Sequence, residues 1–134
     1  MASLEVQIAA SNNDGYIYSG GYNKTEANNY YGRTTVSVNY WLLFSNVTIP
    51  AGATINSAVI RHVASQNQSG TTCKEKIYAE AADNPSYPTS ESDYNSRTKT
   101  TAYVSWTLGS WTAESTYDSV DISTVMQEIV NRSG

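Results

Sequence analysis

A chain of 134 residues is long enough for one domain with a real core. Its net charge of −4, with eight scattered basic residues, lacks the clustered positive field that phosphate binding needs, so nucleic acid is not an expected partner. Leu, Ile, Val and Phe number only 23, a content at which disorder must be considered, but eleven Tyr and three Trp supply the large side chains a core needs. Ser, Thr and Asn together number 45, a mix that suits strands and turns over helices. No apolar run reaches membrane-spanning length. Met1-Ala2-Ser3 leads into a strand pattern with no signal peptide, so the chain is expected to stay in the cell, leave by lysis or form one domain of a longer protein.

Leu4, Val6, Ile8 and Ala10 alternate along a first expected strand. Asn12-Asn13-Asp14-Gly15 signals a turn, and Tyr16-Ile17-Tyr18 a short second strand. Residues 19–33 are rich in Gly, Asn and Tyr and read as a surface loop. Thr34 to Phe44 alternates again, with Val36, Val38, Tyr40, Leu42 and Phe44 on one face. The stretch 42–63 then reads as two apolar strands joined at Pro50-Ala51-Gly52, where Pro50 fixes φ and Gly52 supplies the permissive turn position. Thr72 to Ala82 places Cys73, Ile77, Ala79 and Ala81 on one side and Lys74, Lys76, Tyr78 and Glu80 on the other. Residues 83–99 read as a long loop, and Thr100 to Leu108 as a strand with Val104, Trp106 and Leu108 inward. Phe44, Ile60, Val104 and Trp106 are the expected shared core. At the end the period changes: Ile122, Val125, Met126, Ile129 and Val130 mark an amphipathic helix, with Asp121 expected as its N-cap and Gly134 just past its end.

Residues that carry chemistry are few. His62 sits at an inward strand position and reads as a core histidine. The lone Cys73 cannot form an internal disulfide and reads as a buried, inert thiol. No nucleophile elbow, phosphate loop or zinc spacing occurs, and no catalytic residue is expected. Asn13 and Asp14 offer oxygen ligands to a calcium ion, set against a plain turn. Tyr16, Tyr18, Tyr22, Tyr30 and Tyr31 lie within sixteen residues amid Gly and Asn. Flat apolar faces beside amides suit sugar binding or a protein partner, and the same residues can equally cover a core edge.

Five stretches together resemble a known module: Asn13-Asp14-Gly15-Tyr16; the Leu43–Ala58 run around Pro50-Ala51-Gly52-Ala53; Ile77 to Asn84; Arg97 to Trp106; and Gln127 to Gly134 with its Asn131-Arg132-Ser133-Gly134 end. The pattern is similar to DNRLRE-type and carbohydrate-binding-module-like jelly rolls of environmental bacterial and phage proteins. About seven strands with turns between them suit the same class: a single all-β antiparallel sandwich over 1–134, its helix capping an open end. The resemblance implies a non-catalytic module found in virion structural proteins or appended to secreted polysaccharide-active enzymes. Family members continue past the helix with further strands, so the closing strands are expected to be missing or supplied by a neighbouring chain. The expected function is a structural or assembly protein of a phage virion, a capsid decoration or tail protein with surface-glycan adhesion. Its expected partners are other virion proteins, copies of itself and polysaccharide, with no membrane. The alternative is a secreted carbohydrate-binding module.

Overall fold

The computed structural model describes residues 2–24, 37–68 and 72–132. Among these, seven short strands outweigh two short helices, so the chain is β-rich. All strand pairings are antiparallel and form three small sheets, of three, two and two strands. The residues fall into two compact units, Met1–Ile49 with Pro85–Ser96, and Pro50–Asn84 with Arg97–Gly134.

In the first unit, β1 (Asp14–Tyr18) lies between β2 (Gly21–Asn23) and β3 (Val38–Leu42). Tyr16 and Ile17, which point to opposite faces, are both buried, so this central strand is covered on both sides. Gly15 faces Trp41 across the β1–β3 ladder. A Cβ at Gly15 would stand 2.3 Å from the Trp41 ring and from the Asn23 carbonyl oxygen, so glycine is what admits the indole there. Four expectations change in this unit. Residues 4–10 form no strand, and Leu4 stays 52 % exposed, because alternation without a pairing partner makes no ladder. Gly21–Asn23, expected in a loop, is strand, and the chain of 83–99 contains the helix α1 (Glu91–Ser96). Along β3 the buried residue is Trp41, while Phe44 lies past the strand and is half-buried. The expected strand residues Thr34 to Val36 lie outside the described residues.

In the second unit, β4 (Arg61–Val63) pairs with β7 (Thr116–Asp118), and β5 (Cys73–Ile77) pairs with β6 (Val104–Leu108). The expected strand parity holds along β5 and β6: Ile77, Trp106 and Leu108 are buried while Lys74, Lys76, Ser105 and Thr107 are exposed. Val104 and Ile60 are half-buried, and Phe44 belongs to the other unit, so of the four expected core residues only Trp106 is buried.

The apolar pair 42–49 and 55–63 is not a hydrogen-bonded hairpin. Its turn is present, with the Ala53 N–H donating to the Pro50 carbonyl at 3.1 Å and Gly52 at φ +75°. Residues 53–60, however, run without a ladder: side chains near the C-terminus take the N–H groups of Ile55, Ala58 and Ile60, while the Ala58 and Ile60 carbonyls accept from the Ile122 and Ser119 backbone N–H groups at 2.8 and 2.9 Å. Gln127 accepts from the Ile55 N–H at 2.8 Å and donates to the Ala53 carbonyl at 2.9 Å. Asp121 accepts from the Ala58 N–H, and the Ser119 hydroxyl from the Ile60 N–H, both at 3.0 Å.

The amphipathic helix is α2 (Ser123–Val130), with Ile122, Val125 and Val130 buried. Its N-cap is Ile122, not Asp121; Asp121 lies one residue earlier, where its carboxylate accepts from the Ser123 N–H and from the Ala58 N–H together. Asn131 is the C-cap, and Gly134 lies outside the described residues. From α2, Glu128 accepts from the Thr101 and Ala102 N–H groups at 2.8 and 2.7 Å. Those two residues lie where the β5–β6 pairing ends and the Glu80–Lys99 bridge takes over in a register two residues different.

Candidate functional site

The tyrosines singled out by their clustering do not form one surface. Tyr16 is buried and Tyr18 is 36 % exposed, their rings stacked at 6.1 Å on one face of the three-stranded sheet. Tyr22 stands opposite Ile17 and so belongs to the other face, where it stacks on Trp41 at 5.3 Å and its hydroxyl donates to the Pro88 carbonyl. Tyr94 of α1 adds a tilted ring 6.3 Å from Trp41. Tyr16 and Tyr22 are therefore used in packing. Tyr30 and Tyr31 lie outside the described residues.

Asn13 is buried and tied on several sides. Its N–H donates to the Ala10 carbonyl, its carbonyl accepts from the Leu43 N–H, and its Nδ2 donates to the Ser45 hydroxyl. Asp14 opens β1 opposite Leu42. Among the described residues no group of three or more His, Cys, Asp or Glu comes together.

His62 packs in an aromatic cluster, 5.3 Å from Trp106 and 6.0 Å from Trp111. Trp111 stacks in turn on Tyr117 at 4.7 Å, with the rings parallel within 1°. Burial holds the His62 imidazole below its ordinary pKa, against the opposing pull of the Tyr117 and Ile60 backbone and Asp118. The neutral ring thus serves as a packing surface. Burial, helped by Glu75, pushes the Cys73 thiol up to about 12, and its S–H donates to the Glu75 carboxylate at 3.0 Å; a thiol so protonated is a poor nucleophile.

Two outward faces remain, each on a two-stranded sheet of the second unit. On β4–β7, Arg61 bridges Asp118 in bidentate fashion at 2.8 and 3.0 Å. Around this pair lie Val59 at 48 %, Val63 at 69 % and Val120 at 38 % exposure. On β5–β6, Lys74 faces Thr107 and Lys76 faces Ser105. One step beyond the last paired residues, Tyr78 and Tyr103 stand side by side, ring centroids 5.1 Å apart, at 37 % and 47 % exposure. The Lys76 ammonium lies 4.7 Å from the Tyr103 ring centre. Neither tyrosine belongs to the clustered set. The available signal was parity: Tyr78 follows Lys74 and Lys76 at period two, and Tyr103 takes the opposite parity to Val104, Trp106 and Leu108.

No protein-family model, curated protein or solved structure matches this chain.

Proposed function

We propose that the chain is a non-enzymatic β-sandwich module of the jelly-roll class that works by adhesion inside a larger assembly, as a capsid decoration or tail protein of a phage virion. The observation that carries this reading is the outer face of β4–β7. Three valines stand in water around an ion pair that is already internally neutralised. A face of that kind gains by burial against protein and has no groups arranged for bond-breaking chemistry. The nested pairing of β4 with β7 across the inserted β5–β6 pair supports the jelly-roll arrangement, which needs such long connections.

Sedimentation of the purified chain tests the reading. A concentration-dependent oligomer, dissolved by the double substitution Val59→Lys with Val63→Lys, is the expected result. A monomer at high concentration that is also missing from purified particles would reject it.

A second reading, a carbohydrate-binding module, is favoured by a different observation, the adjacent exposed rings of Tyr78 and Tyr103. Retention of the chain on insoluble polysaccharide tests that one.

A further inference from the structure

The outer face of β5–β6 brings two exposed tyrosine rings and two lysines together, and we infer that it is a binding site for an anionic polysaccharide, one carrying carboxylate or sulfate groups on its sugars. The inference rests on the carbohydrate-binding reading and adds to it a location and a ligand charge.

A pyranose ring has an apolar C–H face and a rim of hydroxyls. It is held by a flat aromatic surface with hydrogen-bonding groups beside it. Tyr78 and Tyr103 form that surface. Their centres are 5.1 Å apart and the rings are tilted by 32°, too close for coplanar neighbours, so they overlap in part and offer their solvent-facing portions as a small platform. Both are held at the backbone by an ordered ladder: Ile77 and Val104, the residues beside them, are paired, and the Thr100 N–H donates to the Ala79 carbonyl at 2.9 Å just beyond. The platform is therefore preorganised, which lowers the entropy lost on binding.

The charge on this face selects the ligand. Lys74 and Lys76 project from the same side of β5 as Tyr78, each with a hydroxyl residue opposite, Thr107 and Ser105. The acidic residue that follows at the same parity, Glu80, is neutralised by Arg97 at 2.9 Å. Glu75 has the opposite parity and hydrogen-bonds Cys73. The face is thus locally cationic on a chain whose net charge is −4. Lys76 rests over the Tyr103 ring in the free chain, so a sugar that stacks there displaces its ammonium to the edge of the ring, within reach of an acidic substituent. A neutral glycan would use the rings and accept hydrogen bonds from the lysines, but it would leave their charge uncompensated. Single-stranded nucleic acid would also stack, but it requires a basic groove continuing over several nucleotides, and two lysines supply no such track.

Affinity electrophoresis of the full chain through gels containing polygalacturonate, dextran or no polymer tests the inference, with polythymidylate binding measured in parallel. The expected result is retardation by polygalacturonate alone, weakened about five- to tenfold by Tyr103→Ala and by Tyr78→Ala. Lys74→Gln with Lys76→Gln should weaken it comparably and flatten its salt dependence. All four positions are exposed, and unchanged melting temperatures confirm that the variants fold. Retardation by polygalacturonate that survives both tyrosine substitutions would overturn the site. Equal retardation by dextran, insensitive to the lysine substitutions, would overturn the ligand charge while leaving the carbohydrate reading in place. Retardation by neither polymer would reject both, and tighter binding to polythymidylate would replace the ligand class.

Discussion

Two stretches of the second unit carry similar alternating sequences and are held in different ways. Cys73–Ile77 is a ladder strand, paired in antiparallel register with the backbone of Val104–Leu108. Residues 53–60 run outside any ladder, and Gln127, Asp121 and Ser119 side chains take the N–H groups of Ile55, Ala58 and Ile60, although the Ala58 and Ile60 carbonyls accept from backbone N–H groups. Alternation reports that a chain is extended and half-buried. It does not report what completes the backbone hydrogen bonds, and any buried donor needs a partner of some kind. A ladder strand tolerates most side-chain changes because its partners are backbone. A strand held by side chains depends on the identity of a few distant residues.

Trp106 joins the two ladders of the second unit, since it stands on β6 and packs against His62 of β4, the strand that follows residues 53–60. Trp106→Ala should cost about 3–5 kcal/mol in a denaturant melt, the largest effect expected. A loss below 1 kcal/mol would show that the aromatic cluster does not join the two ladders.

Gln127→Leu keeps the volume and removes the partners of the Ile55 N–H and the Ala53 carbonyl. It should cost about 1–3 kcal/mol and speed exchange of the Ile55 amide. An unchanged exchange rate there would sink the side-chain-held description.

Acid separates the stretches by sign. The Ala58 N–H, with Ser123, holds the Asp121 carboxyl below its ordinary range, and the Ala102 and Thr101 N–H groups do the same for Glu128. With the folded pKa below the unfolded one, this stabilisation is present above about pH 4 and fades as the pH falls through the folded value. His62, pushed down by burial, likewise favours the fold less as pH drops below about 6.5. On the ladder strand, burial pushes Glu75 up, so its contribution is present at low pH and is lost as pH rises through its folded pKa. Melts from pH 3 to 8 should therefore show Asp121→Asn and Glu128→Gln flattening the acid limb, and Glu75→Gln raising stability at neutral pH. The same slope in all three variants and the parent would contradict these assignments.

The smallest effect belongs to the ladder's solvent side. Lys74→Gln should change stability by no more than about 0.5 kcal/mol. A larger loss would mean that the ladder too leans on its side chains.

Reading the residues alone located β5, β6 and α2 well, because each carries its own period and few residues interrupt it. It missed β7, whose Thr-Tyr-Asp has no apolar pattern and becomes a strand by pairing with β4 more than fifty residues earlier. It missed α1, a helix of six residues with none of them buried, too short to show a period. For the tyrosines of 16–31 it left a binding role and a core-edge role open, because closeness in sequence does not say which face each takes; β-pleating sends Tyr16 and Tyr18 to one face and Tyr22 to the other. Tyr78 and Tyr103 went unremarked as a pair because they are distant in sequence and meet only across a ladder.

The order of residues by itself determined what depends on near neighbours: extension where apolar and polar residues alternate, a helix where the period is 3.6, a turn where Gly52 takes a positive φ. These follow from backbone sterics and from the solvent preference of single faces, which act within a few residues. Tertiary structure alone decided who satisfies the backbone of 53–60, which strand β7 pairs with, and which tyrosines stand in water. Those outcomes depend on groups brought together from distant parts of the chain, and no local pattern records the distance between them.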